Sequence, residues 1–132
     1  MIGGNPSRPV NAGRRVMTTI SPGGRQAGKS EKYLLGKCVQ HLKDLKRQGV
    51  KVKGRKVHGG SFQSGEPDLD IVLRGRAVKI ELKAPGKKPT ARQEHVLREW
   101  SEAGAVAVWL DNFEAFRQLL AELSKEPFFD GT

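Results

Sequence analysis

Asp68, Glu81 and Lys83 are the residues whose types and spacing best suit chemistry in this chain. Residues 68–73 and 76–83 alternate like strands, and Arg74-Gly75 between them suits a tight hairpin turn. With those two residues as the turn, cross-strand partners have numbers summing to 149, so Asp70 faces Lys79 and Asp68 faces Glu81. Partners across a hairpin share one face of the sheet, with Cβ atoms roughly 4.5 to 5.5 Å apart. Alternation adds Asp70 and Lys83 to that face and sends Leu69, Ile71, Leu73, Val78, Ile80 and Leu82 to the other. One side is therefore a core surface and the other a cluster of acids with a lysine.

Two carboxylates this close repel unless a proton or a cation lies between them. All-oxygen ligands favour a hard divalent ion, Mg²⁺ or Mn²⁺. Such an ion activates water and stabilises the leaving oxygen of a phosphodiester, while Lys83 can orient the water or offset developing charge. The competing interpretation of the same letters is a solvated face of ion pairs, Asp70 with Lys79 and Glu66 with Lys83. A turn of odd length would also put Asp68 and Glu81 on opposite faces.

The elements that must position these residues follow from periodicity. Leu34, Leu35, Cys38, Val39, Leu42 and Leu45 recur at helical spacing, and Gly49 ends the run. Val50 and Val52 interleave with Lys51, Lys53 and Arg55 as a strand with one basic face, followed by a Gly- and Ser-rich loop over residues 58–65. After the hairpin comes a basic loop, then a helix opened by Thr90 with Val96, Leu97, Trp100 and Ala103 inward. Residues 105–110 suit a buried strand, and Asp111 is the expected cap of a third helix carrying Phe113, Phe116, Leu119, Leu120 and Leu123. The order αβββαβα predicts an α/β domain with a mixed central sheet flanked by helices.

The chain's 132 residues hold 24 Lys and Arg against 14 Asp and Glu, an excess that attracts polyanions, nucleic acid foremost. Arg8, Arg14, Arg15, Arg25 and Lys29 lie in a Gly- and Pro-rich stretch without acids, so residues 1–29 are expected to form a flexible basic arm. The domain then spans residues 30–126, with 127–132 as a tail. No apolar run reaches the roughly 20 residues of a membrane span. The single cysteine, Cys38, excludes an internal disulfide, and the first residues lack the apolar stretch of a secretory signal, so an intracellular location is expected, in cytoplasm or nucleoid. His41, His58 and His95 have no metal-ligand spacing.

Gly65-Glu66-Pro67-Asp68 followed by Ile80-Glu81-Leu82-Lys83 resembles the PD…(D/E)xK signature of the restriction-endonuclease-like superfamily. Together with Glu31, Gln93 and the Gly104-Ala105 strand entry, residues 30–122 resemble the VRR-Nuc family, virus-type replication-repair nucleases. The resemblance implies a restriction-endonuclease-like core with Asp68, Glu81 and the Leu82 carbonyl as metal ligands and Lys83 as the catalytic lysine. It assigns Glu31 to the acid on the first helix, either ligand or catalytic group; Glu31 also precedes Leu34 and Leu35 at helical spacing, so it is expected to point toward the buried side. It places Gln93 near the scissile phosphate, although Thr90-x-x-Gln93 is also a capping box. Asp70 has no counterpart and is expected to be an outer acid of the site. Stand-alone phage and bacterial members resemble Holliday-junction resolvases, which implies a homodimer cutting branched DNA; Phe128 and Phe129, or the exposed side of the third helix, could supply part of its interface, the alternative for the two aromatics being a frayed C-terminus.

Two other functions compete. Residues 23–30, Gly-Gly-Arg-Gln-Ala-Gly-Lys-Ser, spell a P-loop between a β-like stretch at 16–20 and a helix. The remaining chain is too short for the parallel sheet a P-loop domain requires, and residues 16–20 are too polar for its central strand. A DNA-binding module without cleavage is the other rival. Lys51, Lys53, Arg55 and Lys56, with Lys87 and Lys88 in the loop before the second helix, are the expected phosphate contacts.

Overall fold

A computed structural model of the chain describes residues 30–57 and 65–127. The basic arm, most of the P-loop-like segment, His58 with residues 59–64, and Phe128 and Phe129 lie outside the described residues.

The elements are α1 (Glu31–Arg47), β1 (Val52–Lys56), β2 (Leu69–Leu73), β3 (Arg76–Leu82), α2 (Ala91–Glu102), β4 (Val106–Leu110) and α3 (Phe113–Ser124), in the expected order. Ser30 caps α1 by accepting the Tyr33 N–H, and Gly49, at φ 95°, turns the chain out of it. The strand after it begins at Val52, not Val50, so Lys51 precedes β1. Arg74 and Gly75 have φ of 50° and 85°. Two left-handed residues in a two-residue turn give the twist that antiparallel strands need. The resulting register, Leu73 with Arg76, Asp70 with Lys79 and Leu69 with Ile80, is the one read from the sequence.

The sheet runs β1-β2-β3-β4, with β1, β2 and β3 antiparallel and β4 parallel to β3. A parallel pair requires a crossover, and α2 supplies it. On one face Leu69, Ile71, Leu73, Val78, Ile80 and Leu82 pack with Leu34, Cys38 and Leu42 of α1 and Ala115, Phe116 and Leu120 of α3. On the other, α2 covers β3 and β4 through buried Val96 and Leu97. This explains how β4, at the sheet's end, is nearly all buried. The cap of α3 is Asn112, whose side chain accepts the Ala115 N–H, and not Asp111. Asp111 instead accepts from the Asn112 amide at 2.9 Å, because only the residue immediately before the helix has the geometry to reach its free amides. Among the described residues no helix is long and apolar enough to cross a membrane.

His41 packs edge-on against Phe113 and Phe116, with ring centroids 5.6 and 6.0 Å away, and thus joins α1 to α3. Where α1 crosses β1, a Cβ on Gly54 would lie 2.8 Å from Leu42 Cδ1 and 2.9 Å from Ile71 Cγ1. Helix and strand therefore meet through the bare backbone of Gly54. Gly54→Val should lower stability by about 1–3 kcal/mol, the usual cost of overpacking a core. Urea unfolding of the variant against the parent chain measures it, and an unchanged midpoint would refute the close contact.

Candidate metal centre

Glu81 sits near the end of β3, on the sheet face that α2 partly covers, and its side chain is 3% exposed. Asp68 lies one residue before β2, and continuing the hairpin register places it opposite Glu81. The Leu82 N–H donates to Asp68 Oδ2 at 2.8 Å, which fixes that carboxylate against the strand edge. Glu31, in the first turn of α1, comes in from a third element. One carboxylate oxygen from each of Glu31, Asp68 and Glu81 lies within 4.8 Å of the other two.

Lys83 Nζ is 3.6 Å from Glu81 Oε2, and Gln93 Nε2 donates to the same oxygen at 3.0 Å. Gln93 also completes the capping box, its Oε1 accepting the Thr90 N–H and its own N–H donating to Thr90 Oγ1. Cap and contact with Glu81 are both real, one at each end of the same amide. Glu81 Oε1 is buried and has no hydrogen-bond donor among the described residues. A buried carboxylate oxygen without a donor is costly, and a cation or a proton is what would satisfy it.

The electrostatics agree. Burial, then the neighbouring Asp68 and Glu31 carboxylates, push the Glu81 carboxyl up to about 8, against the pull of Lys83. Glu31 is raised by burial and by Asp68, again opposed by Lys83. Asp68 is raised by burial, with the Leu82 N–H, Lys83, Lys56 and a side-chain hydrogen bond with the Glu81 carboxyl acting the other way. All three acids thus favour neutralisation. The donor set is all oxygen and carries enough charge for a hard divalent ion, so these residues fit Mg²⁺ or Mn²⁺.

Comparison with protein-family models, with curated proteins and with solved structures returns no match to this chain. Its chemistry is therefore read from the site itself.

Several residues stand elsewhere than expected. Glu31 is exposed and does not point into the core, because at the first position of a helix its long side chain extends past the helix end, toward Asp68. Asp70 is not an outer acid of the centre. Lys79 holds it at 2.7 Å and Arg55 at 3.6 Å, the ion-pair role that the sequence also allowed. Glu66 accepts from Trp100 Nε1 at 3.1 Å and is no partner of Lys83. Lys51 just before β1 and Lys53, Arg55 and Lys56 on it are exposed, and Lys87 and Lys88 are exposed on the loop between Lys83 and Gln93. His95 pairs with Glu99 at 3.4 Å on the outer side of α2.

Sequence reasoning missed the anchor between α2 and the acid-bearing turn. Lys79 Nζ lies 4.0 Å above the Trp100 ring while the indole donates to Glu66. Gly65, at φ 84°, leaves room where a Cβ would stand 2.9 Å from Arg92 Cγ and 3.3 Å from Val96 Cγ2. The available signal was Trp100 itself, since an inward indole needs an acceptor for its N–H.

These shifts set a pH dependence. Glu81 binds a proton more tightly in the folded chain than in the unfolded one, so its contribution to stability falls as pH rises from its ordinary 4.5 through about 8. Glu31 and Asp68 act with the same sign. Burial lowers His41, which works in the opposite sense, so the difference between the parent chain and Glu81→Gln isolates the acid. Thermal melts without metal should show the parent losing stability relative to Glu81→Gln across this window. Mn²⁺ should raise the parent's melting temperature, more at higher pH, and leave Glu81→Gln nearly unmoved. A parent chain indifferent to both pH and Mn²⁺ would count against the centre.

Proposed function

We propose that this chain is a divalent-metal-dependent DNA endonuclease of the restriction-endonuclease-like superfamily, most similar in its motifs to the VRR-Nuc family. The observation that carries the reading is the meeting of carboxylate oxygens from Glu31, Asp68 and Glu81 within 4.8 Å of one another, with Lys83 beside them and one buried Glu81 oxygen lacking a donor among the described residues. Asp68, Glu81 and Glu31 would hold Mg²⁺ or Mn²⁺. The Leu82 carbonyl would be a further ligand, since the N–H and C=O of one strand residue share an edge and the Leu82 N–H faces Asp68. When bound, the ion would supply Lewis acidity at the phosphodiester and a lower pKa for water.

The chain's own residues prepare this chemistry. The Leu82 N–H holds Asp68 in one orientation. Gln93 and Lys83 both engage Glu81 Oε2, which leaves Oε1 directed away from them. Lys83, only 15% exposed, keeps its ammonium at the acids, where it can hold the attacking water or offset charge on the phosphorane-like transition state. Gln93 opens α2, and its Nε2, with one N–H on Glu81 Oε2, has a second N–H to offer the scissile phosphate. Branched DNA as substrate and a homodimer as the working form belong to the same proposal, because one active site per chain requires two chains for paired cuts. An intracellular site of action follows from the substrate.

Labelled four-way, flap, duplex and single-stranded DNA, incubated with and without Mn²⁺, test the reading. Metal-dependent cutting is expected, with branched DNA preferred. Asp68→Ala, Glu81→Ala and Lys83→Ala should each lower the rate about 100-fold or more, the scale of losing one charge-stabilising group. Light scattering should give twice the chain mass. Binding without cutting under every metal condition would reduce the chain to a DNA-binding module.

A further inference from the structure

The positive charge of the described chain is concentrated at one end of the sequence. Residues 30–57 carry nine Lys and Arg against two acids, whereas residues 65–127 carry ten against eleven. Charge alone does not say which surface a polyanion uses, since these nine cations are divided between α1 and β1. The sheet register separates them. Val52 pairs with Leu73 and Gly54 with Ile71, so these residues share the core face. Lys53 pairs with Val72 and Arg55 with Asp70, which places both cations on the opposite face with Asp68, Glu81 and Lys83. The α1 cations belong to a helix packed on the other side of the sheet.

Among the described residues, none of the helices covers the half of this face formed by β1 and β2. The helix over it, α2, contacts β3 and β4, and Val72 remains 50% exposed beside Lys53. Lys79 and Trp100 stand at the border between the covered and open halves. Arg55 and Lys79 share the single acid Asp70, so the ion pairs here leave a net positive charge. At about 3.3 Å per residue, the Arg55 and Lys53 rows stand roughly 7 and 13 Å along the strands from Asp68. The cations thus form a line on an uncovered surface that runs into the acids.

We infer that the open β1–β2 half of this face is a track for the phosphate backbone of a DNA strand, with Arg55 and Lys53 as its phosphate contacts leading to Asp68 and Glu81. The inference rests on the nuclease reading for its direction, toward the acids, but binding on this face can be measured without hydrolysis. Phosphate contacts of this kind are sequence-independent and salt-dependent. The exposed Val72 and the aliphatic part of Lys53 give the strand an apolar floor between charges.

Fluorescence anisotropy with labelled duplex and four-way DNA in EDTA, titrated across KCl, tests the track. K53A/R55A should weaken binding about tenfold or more and reduce the slope of log K against log salt by about 2, one phosphate per cation. K43A/K46A removes the same charge from exposed positions on α1 and should shift affinity by less than about threefold. Lys53→Arg with Arg55→Lys should bind like the parent, and circular dichroism confirms that each variant is folded. The inference is overturned if K43A/K46A costs as much as K53A/R55A, if K53A/R55A binds like the parent, or if polyglutamate displaces DNA as well as competing DNA does at equal charge. A chain that binds through Lys53 and Arg55 yet never cleaves supports the track and removes the nuclease reading. Undiminished cleavage and binding by K53A/R55A does the reverse.

Discussion

The register of the β2–β3 hairpin is the constraint on which the rest depends. Asp68 and Glu81 would separate if they could, and a slip of one residue would send them to opposite faces. That slip would also expose Leu69, Ile71, Leu73, Val78, Ile80 and Leu82, all at most 1% exposed in the native register. Burying one such side chain is worth about 1.5–3 kcal/mol, so six contribute on the order of 10 kcal/mol. Repulsion between two unit charges 4 Å apart is about 4 kcal/mol at the effective dielectric of partly buried sites. The core wins, and the acids are held together by residues that never touch them. Arg74 and Gly75 add a second lock, because their left-handed backbone admits this turn and twist.

The second helix converts this pair of acids into a shaped site. Thr90 and Gln93 cap one another at its start, and the spare end of the Gln93 amide fixes Glu81 Oε2. Beside them, Gly65 lets the backbone before Asp68 approach Arg92 and Val96; further on, Trp100 takes hold of Glu66. The same helix therefore touches Glu81 through its first turn and the Asp68 turn through its body. A single rigid element sets both acids, while Glu31 arrives from α1 on the other layer. The centre lies where two helices and two strands converge, so its geometry is a property of the whole fold.

Much of this was legible in the letters. Hairpin register, core face, capping box and element order are local rules, and Arg74-Gly75, Thr90-x-x-Gln93 and the alternation of Leu69 to Leu73 state them directly. The failures came where reach, not direction, decides. Helical spacing assigns Glu31 an angle around α1, but not how far its side chain extends past the helix end. Asp70 shares the face of Asp68, yet Arg55 comes from a strand whose pairing with β2 no local pattern encodes. Trp100 read as a core residue because its apolar bulk dominates periodicity, and the partner of its indole, Glu66, is 34 residues away. The start of α3 differed by one position because Asp and Asn are comparable caps side by side.

Ion pairing describes one half of the charged face, and the acids that could hold a cation gather at the other. Around Asp70 the cations outnumber the acid: Arg55 and Lys79 both face one carboxylate, which is fully paired while an excess of positive charge remains. Around Asp68 the balance reverses. Three carboxylates converge, and the cations acting on them are Lys83 within contact distance of Glu81 and Lys56 at longer range. Net negative charge in a partly dry place is not a resting arrangement: a proton must sit there at neutral pH or a cation must displace it. Glu81 answers for the proton by its raised pKa and for the cation by its donorless oxygen. The hydrophobic register holds these acids together against their own repulsion, and so creates a place where a proton or a cation is stabilised.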